Sequence, residues 1–296
     1  MKRRDMLKAT SAAVLGAATF PQRWVPAAEG KRQRVLYFTR NVGFYHSVVV
    51  RQGDELSHSE RILVELGPRA GIEVTCTKDG RVFDGDLSQY DAFAFYTNGD
   101  LTEPNPQKEP PMTAEGKKRF LAAIEAGKGF VGFHSSCNSW AVPGPAYENN
   151  AAVDPFIAML GAQFIAHGPQ QKATLRVTSP HFPGLEGVGE SFDLLEEWYA
   201  MKNFAKDLHV ILVQETKGMQ GECYQRPPFP STWARMQGQG RVFFTSMAHR
   251  EDVWEGKLFQ QIMLGGFAWA LGNLAADVKP NIDQVAPHAR TLKNTA

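Results

Sequence analysis

The chain has 296 residues, with 32 basic against 31 acidic side chains and a formal net charge of +1. No basic stripe or acidic block breaks that balance, which argues against a nucleic-acid partner and for a small, neutral or weakly charged ligand. Cys76, Cys137 and Cys223 are its only cysteines. They are too few and too widely spaced for a disulfide framework, a zinc knuckle or a redox pair.

The start of the chain reads Arg3-Arg4-Asp5-Met6-Leu7-Lys8, then a weakly apolar run from Ala9 to Phe20, then Val25-Pro26-Ala27-Ala28. A charged start, a short apolar middle and small residues before a cleavage point make an export signal, and the arginine pair is the form read by the twin-arginine machinery. The apolar run is shorter than the roughly 20 residues a membrane-spanning helix needs. Residues 1–28 are therefore expected to be a removed signal that engages the twin-arginine export machinery. The mature chain should then work outside the cytoplasm, in the periplasm or its equivalent, with no stable membrane insertion. Residues 29–273 read as one α/β domain and 274–296 as a wrapping or frayed tail holding Pro280 and Pro287.

Arg34–Thr39 is a short apolar run that predicts a buried strand. Leu56, Ile62, Leu63 and Leu66 then fit a helix ending at Gly67-Pro68. Strands follow at Ile72–Lys78 and Ala92–Thr97. Thr113 is placed to cap a helix carrying Phe120, Leu121 and Ile124, which Gly127 ends before a fourth strand at Phe130–Phe133. Strands alternating with helices at this spacing predict a flavodoxin-like, doubly wound, mostly parallel sheet. The polar alternation between Gln163 and Leu195 predicts added antiparallel strands. Val210–Val213 reads as a central strand, and Gln237-Gly238-Gln239-Gly240 as a hairpin turn. One helix is expected from about Asp252 to Leu271.

In such a sheet, ligands bind where loops leave the carboxyl ends of the strands. The loops there carry Tyr45 and His46, then Asn98, then His134 and Ser135, and finally His249. Three histidines on one edge suit proton transfer or metal ligation, because neutral imidazole does either near neutral pH. His167 could face the same crevice. The Glu196-Glu197-Trp198-Tyr199 run offers a carboxylate beside aromatic surface, and the residues alone do not choose between the two glutamates. Cys137 lacks the flanking glycines of a nucleophile elbow and reads as a buried thiol. His181 reads as part of a rigid turn, and His58, His209 and His288 as residues without company.

Taken in order, several segments resemble the ThuA-like, or trehalose-utilisation, family. They are Val35–Thr39 with Gly43-Phe44-Tyr45-His46-Ser47, Gly127–Ser135, Leu160-Gly161-Ala162 with His167, and Glu197-Trp198-Tyr199. Gly240–Thr245 with Ala248-His249, and Gly265–Ala270, complete the set. The resemblance implies a fold akin to class I glutamine amidotransferases whose cysteine elbow has been lost, with His134 in the elbow slot. It also implies a role in sugar catabolism and favours Glu197 over Glu196. The expected activity is that of an enzyme on a disaccharide or keto-sugar, a small-molecule carbohydrate in either case. His46, His134, Glu197 and His249 would be catalytic, and Tyr45, Ser135, Asn98, Trp198, Tyr199 and His167 would bind substrate. The three histidines and the carboxylate would suit zinc or a similar divalent metal. A non-catalytic sugar-binding module and a cysteine hydrolase using Cys137 are the alternatives.

Overall fold

The computed structural model describes residues 32–293, so the signal read over 1–28 lies outside the described residues. The first strand, β1 (Gln33–Phe38), lies between β2 (Ile72–Thr77) and β3 (Ala92–Phe95), and β4 (Gly129–Phe133) follows β3, all in parallel. The runs of Phe, Val, Leu and Ala in β1, β3 and β4 are buried on both faces, as central parallel strands require.

The hairpin β10 (Phe229–Gln237) and β11 (Gly240–Thr245) inserts next. β11 pairs parallel with β4, and β10 runs antiparallel to both β11 and β9 (His209–Gln214). The antiparallel pair β6 (Gln171–Val177) and β7 (Ser191–Glu196) completes a nine-stranded sheet of order β2-β1-β3-β4-β11-β10-β9-β6-β7. A separate two-stranded sheet pairs β5 (Gln163–His167) with β8 (Tyr199–Lys202) and sets His167 opposite Tyr199.

Helix α1 (His58–Leu66) begins in a capping box, with Ser57 and Glu60 satisfying each other's backbone N–H groups. The same Glu60 carboxylate takes both Arg51 Nε at 2.7 Å and the Thr39 hydroxyl at 2.6 Å. Burial alone would raise this carboxyl, but those bonds hold it below its ordinary value. The arrangement ties the end of β1 to the segment carrying His46. Helix α2 (Ala114–Glu125) starts at the Thr113 cap and packs with α3 (Pro155–Leu160) on one face of the sheet. Phe83, Phe93, Phe95, Phe120, Phe130 and Phe156 fill the space between, with the Phe95 and Phe120 rings stacked at 4.8 Å.

On the other face lie α1, α4 (Glu251–Glu255) and α5 (Lys257–Ala270). The single helix expected over Asp252–Leu271 is thus two helices. Gly256 takes an extended conformation between them, and the Trp254 indole turns back to donate to the Ala248 carbonyl. That break lets α4 stay over the turn holding His249 while α5 runs back along β4 and β11. The tail, with α6 (Ile282–Val285), is bound: Asn281 accepts from the Val210 N–H and donates to its carbonyl, and Arg290 donates to the Phe204 carbonyl. No helix among the described residues is long and apolar enough to cross a membrane.

Gly265 is where α5 crosses the Pro183–Gly184 turn, and a Cβ there would lie 2.1 Å from the Pro183 carbonyl oxygen. Gly265→Ala adds helix propensity of about 1 kcal/mol, but overpacking against rigid backbone costs about 1–3 kcal/mol. Thermal unfolding should therefore show a lowered midpoint for this variant; an unchanged or raised midpoint would contradict the packing.

Candidate active site

His46, His134 and His249 leave the carboxyl ends of β1, β4 and β11. Their ring centroids form a near-equilateral triangle, 5.1 Å, 5.3 Å and 5.2 Å on its sides. Glu197 closes the group: one ligand atom from each of the four residues lies within 4.8 Å of every other. Its Oε1 is 3.6 Å from His134 Nε2, and its Oε2 is 3.6 Å from His249 Nε2 and 3.3 Å from His167 Nδ1. β7 runs in the same direction as β11, so its carboxyl end brings the glutamates to the edge that carries the histidines.

Local backbone geometry aims each ring. His134 takes a left-handed conformation, φ +37°, as β4 turns into the 3-10 segment His134–Asn138. A β-carbon residue pays strain there, and such positions concentrate at functional sites. His134 Nδ1 faces the Ser246 carbonyl at 2.8 Å. A carbonyl only accepts, so Nδ1 carries the proton and Nε2 keeps its lone pair, and Nε2 is buried with no partner. His46 is held at Nε2 by the Tyr199 hydroxyl at 3.3 Å, while its Nδ1 is buried without a partner. Unpartnered buried ring nitrogens cost free energy unless something fills the space between them.

Burial keeps these rings neutral. It drives His46 down to about 2, with His134, His249 and His167 adding like-charge repulsion. Burial likewise holds His134 well below its ordinary value, and lowers His249 although Glu197 partly opposes the shift. Three neutral imidazoles beside one carboxylate form a ready donor set for a divalent cation.

The arrangement also rests on Glu196, which the residues alone did not separate from its neighbour and which the family resemblance passed over in favour of Glu197. It is fully buried and accepts from the backbone N–H groups of Glu197, Ala248 and His249, at 2.7, 2.9 and 3.1 Å. Burial raises its carboxyl to about 8, against the pull of those bonds. The only signal for its inward orientation is strand alternation, which turns the last residue of β7 to the buried side. Tyr96, also unforeseen, places its ring 5.4 Å from His46 with a buried hydroxyl lacking a partner. Phe44 lies edge-on to His46 at 4.8 Å and is 64% exposed, so it forms an apolar rim.

Other expected binding residues separate into groups. Tyr199 packs on His134 with ring centroids 4.0 Å apart, and the half-exposed His167 stacks on Tyr199 at the rim. Trp198 does not line the pocket: it is fully buried, and its indole N–H donates to the Gln171 carbonyl at 3.0 Å. Tyr45 points away from His46, as successive residues in extended chain do. Its hydroxyl donates to Glu109 at 2.5 Å, and it lines a separate cleft with Lys78 and Arg51. Asn98 joins the loops, its backbone bridging Asn41 and its Oδ1 accepting from Asn138 at 3.5 Å. Ser135 is buried with its hydroxyl unpartnered. The Cys137 thiol is buried, donates to the His134 carbonyl, and is pushed up by burial, so a thiolate nucleophile is disfavoured there.

A search of curated proteins finds no match. Among solved structures, a ThuA-like protein from Bacteroides uniformis superposes with TM-score 0.58 at 19% identity, covering 85% of this chain and 95% of that one. A ThuA-like protein from Parabacteroides merdae superposes with TM-score 0.58 at 17% identity, covering 90% and 100%. A cytoplasmic protein from Salmonella typhimurium superposes with TM-score 0.50 at 13% identity, covering 80% and 98%. At these identities the likeness establishes the fold. The family model described as trehalose utilisation matches residues 34–270. With that match spanning most of its length, the chain belongs to the ThuA, or trehalose utilisation, family.

Proposed function

We propose that this protein is an enzyme of carbohydrate catabolism that acts on a disaccharide or its keto form by metal-assisted acid–base chemistry. The observation that carries the reading is the convergence of His46, His134, His249 and Glu197, with ligand atoms within 4.8 Å of one another. Three imidazoles and a carboxylate fit zinc or a similar borderline ion. The His134–Ser246 bond is the kind of outer contact that orients a ligating histidine. Bound there, such an ion would polarise a sugar carbonyl or hydroxyl and acidify a coordinated water.

The chain's own residues divide the remaining work. Of the two Glu197 oxygens, Oε1 would face the ion beside His134, which leaves Oε2, beside His167, to take a proton from a carbon next to a sugar carbonyl or from water. His167, 3.3 Å away and half-exposed, is positioned to pass that proton to solvent. Tyr199 holds the His46 ring, and its hydroxyl stays protonated because burial raises it. Phe44 offers the aromatic face that a sugar ring needs, the role expected of Trp198. The paired Arg3-Arg4 supports export by the twin-arginine route, so the substrate would be met outside the cytoplasm.

The test is turnover of trehalose, related disaccharides and their keto forms, with products followed by NMR. Parent protein should convert at least one of them, lose activity on chelation and regain it with added divalent metal. Glu197→Gln should lower kcat by about 100-fold or more, the usual contribution of a general base. Full activity in a folded Glu197→Gln protein would remove Glu197 from the mechanism. Conversion of none of these sugars would refute the substrate class.

Phe44→Ala separates binding from chemistry. It should raise KM several-fold with kcat nearly unchanged, since stacking acts alike on ground and transition states. An equal fall in kcat with KM unchanged would contradict that role.

A further inference from the structure

The sheet has a second polar constellation at its opposite edge. β9 and β11 are both antiparallel to β10, so β9 begins at the edge away from the histidine triangle. β6 is antiparallel to β9 and ends at that same edge. His209 opens β9, and Ser179 lies two residues beyond β6. The Ser179 hydroxyl oxygen is 2.8 Å from His209 Nε2. His209 Nδ1 is in turn 2.8 Å from the Lys279 carbonyl, supplied by the tail. A carbonyl oxygen only accepts, so Nδ1 carries the proton and the Nε2 lone pair faces the serine hydroxyl.

A hydroxyl, a base within hydrogen-bond reach and a third group fixing the tautomer of that base are the parts of an activated nucleophile. They line a cleft of about 440 Å³ whose other walls include His181, Phe182, Asp277 and Gln284. His209 is 8% exposed and Ser179 half-buried, so the base is shielded while the hydroxyl can be reached. His209, which has no evident company in the sequence, thus gains it from two distant segments.

We propose that Ser179 and His209 form a second catalytic site, an esterase acting on small carboxylic esters and independent of the histidine triangle. Ser179 Oγ attacks the ester carbonyl carbon and forms a new C–O bond, while His209 Nε2 takes the hydroxyl proton. The C–O bond to the leaving alcohol breaks, and His209 gives its proton to that oxygen. Water, deprotonated by His209, then cleaves the acyl-serine to release the carboxylic acid and restore the hydroxyl. His181 and Gln284 carry the side-chain N–H groups on the cleft wall that the developing oxyanion can use.

The experiment exposes the full chain, as purified, to a fluorophosphonate probe and to p-nitrophenyl acetate, with the label located by peptide mass spectrometry. The expected result is one label on the peptide holding Ser179. It should be absent from Ser179→Ala and form at least 100-fold more slowly in His209→Gln, with acetate release falling in parallel. A parent protein that takes no label overturns the proposal whatever the variants do. So does a label elsewhere, or an ester hydrolysis rate unchanged in Ser179→Ala.

Discussion

The Glu196 carboxyl group accepts the backbone N–H groups of Glu197, Ala248 and His249 inside the protein, joining the end of β7 to the turn after β11. Those segments are far apart in sequence, and each delivers one member of the cluster. Without this carboxyl group the N–H groups at Ala248, buried, and His249, partly buried, would lose their partner, at a cost of about 1–3 kcal/mol for the buried one. Ala248 sits at φ +102°, a conformation that needs such fixing. Glu196 is therefore a positioning residue, and Glu197, one position on, faces the triangle it holds in place.

A second constraint is dielectric. Four aromatic or imidazole rings, those of Tyr96, His46, His134 and Tyr199, pack together with little exposure, and burial keeps the histidines uncharged. Charging any two of them would set like charges about 5 Å apart in a poor solvent. The site can hold positive charge only in a form that the carboxylate and the lone pairs share, which is the demand a bound cation meets. The Arg51–Glu60–Thr39 group ties the end of β1 to the segment that follows His46 by the same logic of a buried carboxylate fully bonded.

Much of the frame was legible because its signals are local. The apolar runs of β1, β3, β4 and β9, the Thr113 cap and the two-residue turn between β10 and β11 each depend on residues near in sequence. The three histidines followed from them, since topology alone sends strand-end residues to one edge. What failed depends on tertiary packing. Tyr45 and Phe44 differ only in which side of an extended segment they face, and Trp198 is drawn inward by the Gln171 carbonyl. The anchoring role of Glu196 needs a turn some fifty residues away. The break at Gly256 answers to α4 docking over the His249 turn, which no helical periodicity contains. The Ser179–His209 pair meets across a hairpin and a tail segment, beyond any motif.

The central claim is that His46, His134, His249 and Glu197 act together as a cation-holding centre. The most direct measurement is elemental analysis of the protein, purified without chelators and dialysed after exposure to divalent metals, beside His134→Ala. The account predicts about one zinc or similar ion per parent chain, lost in a His134→Ala protein that keeps its cooperative thermal transition. A folded parent that retains no metal, or a His134→Ala protein that retains as much as the parent, would contradict it.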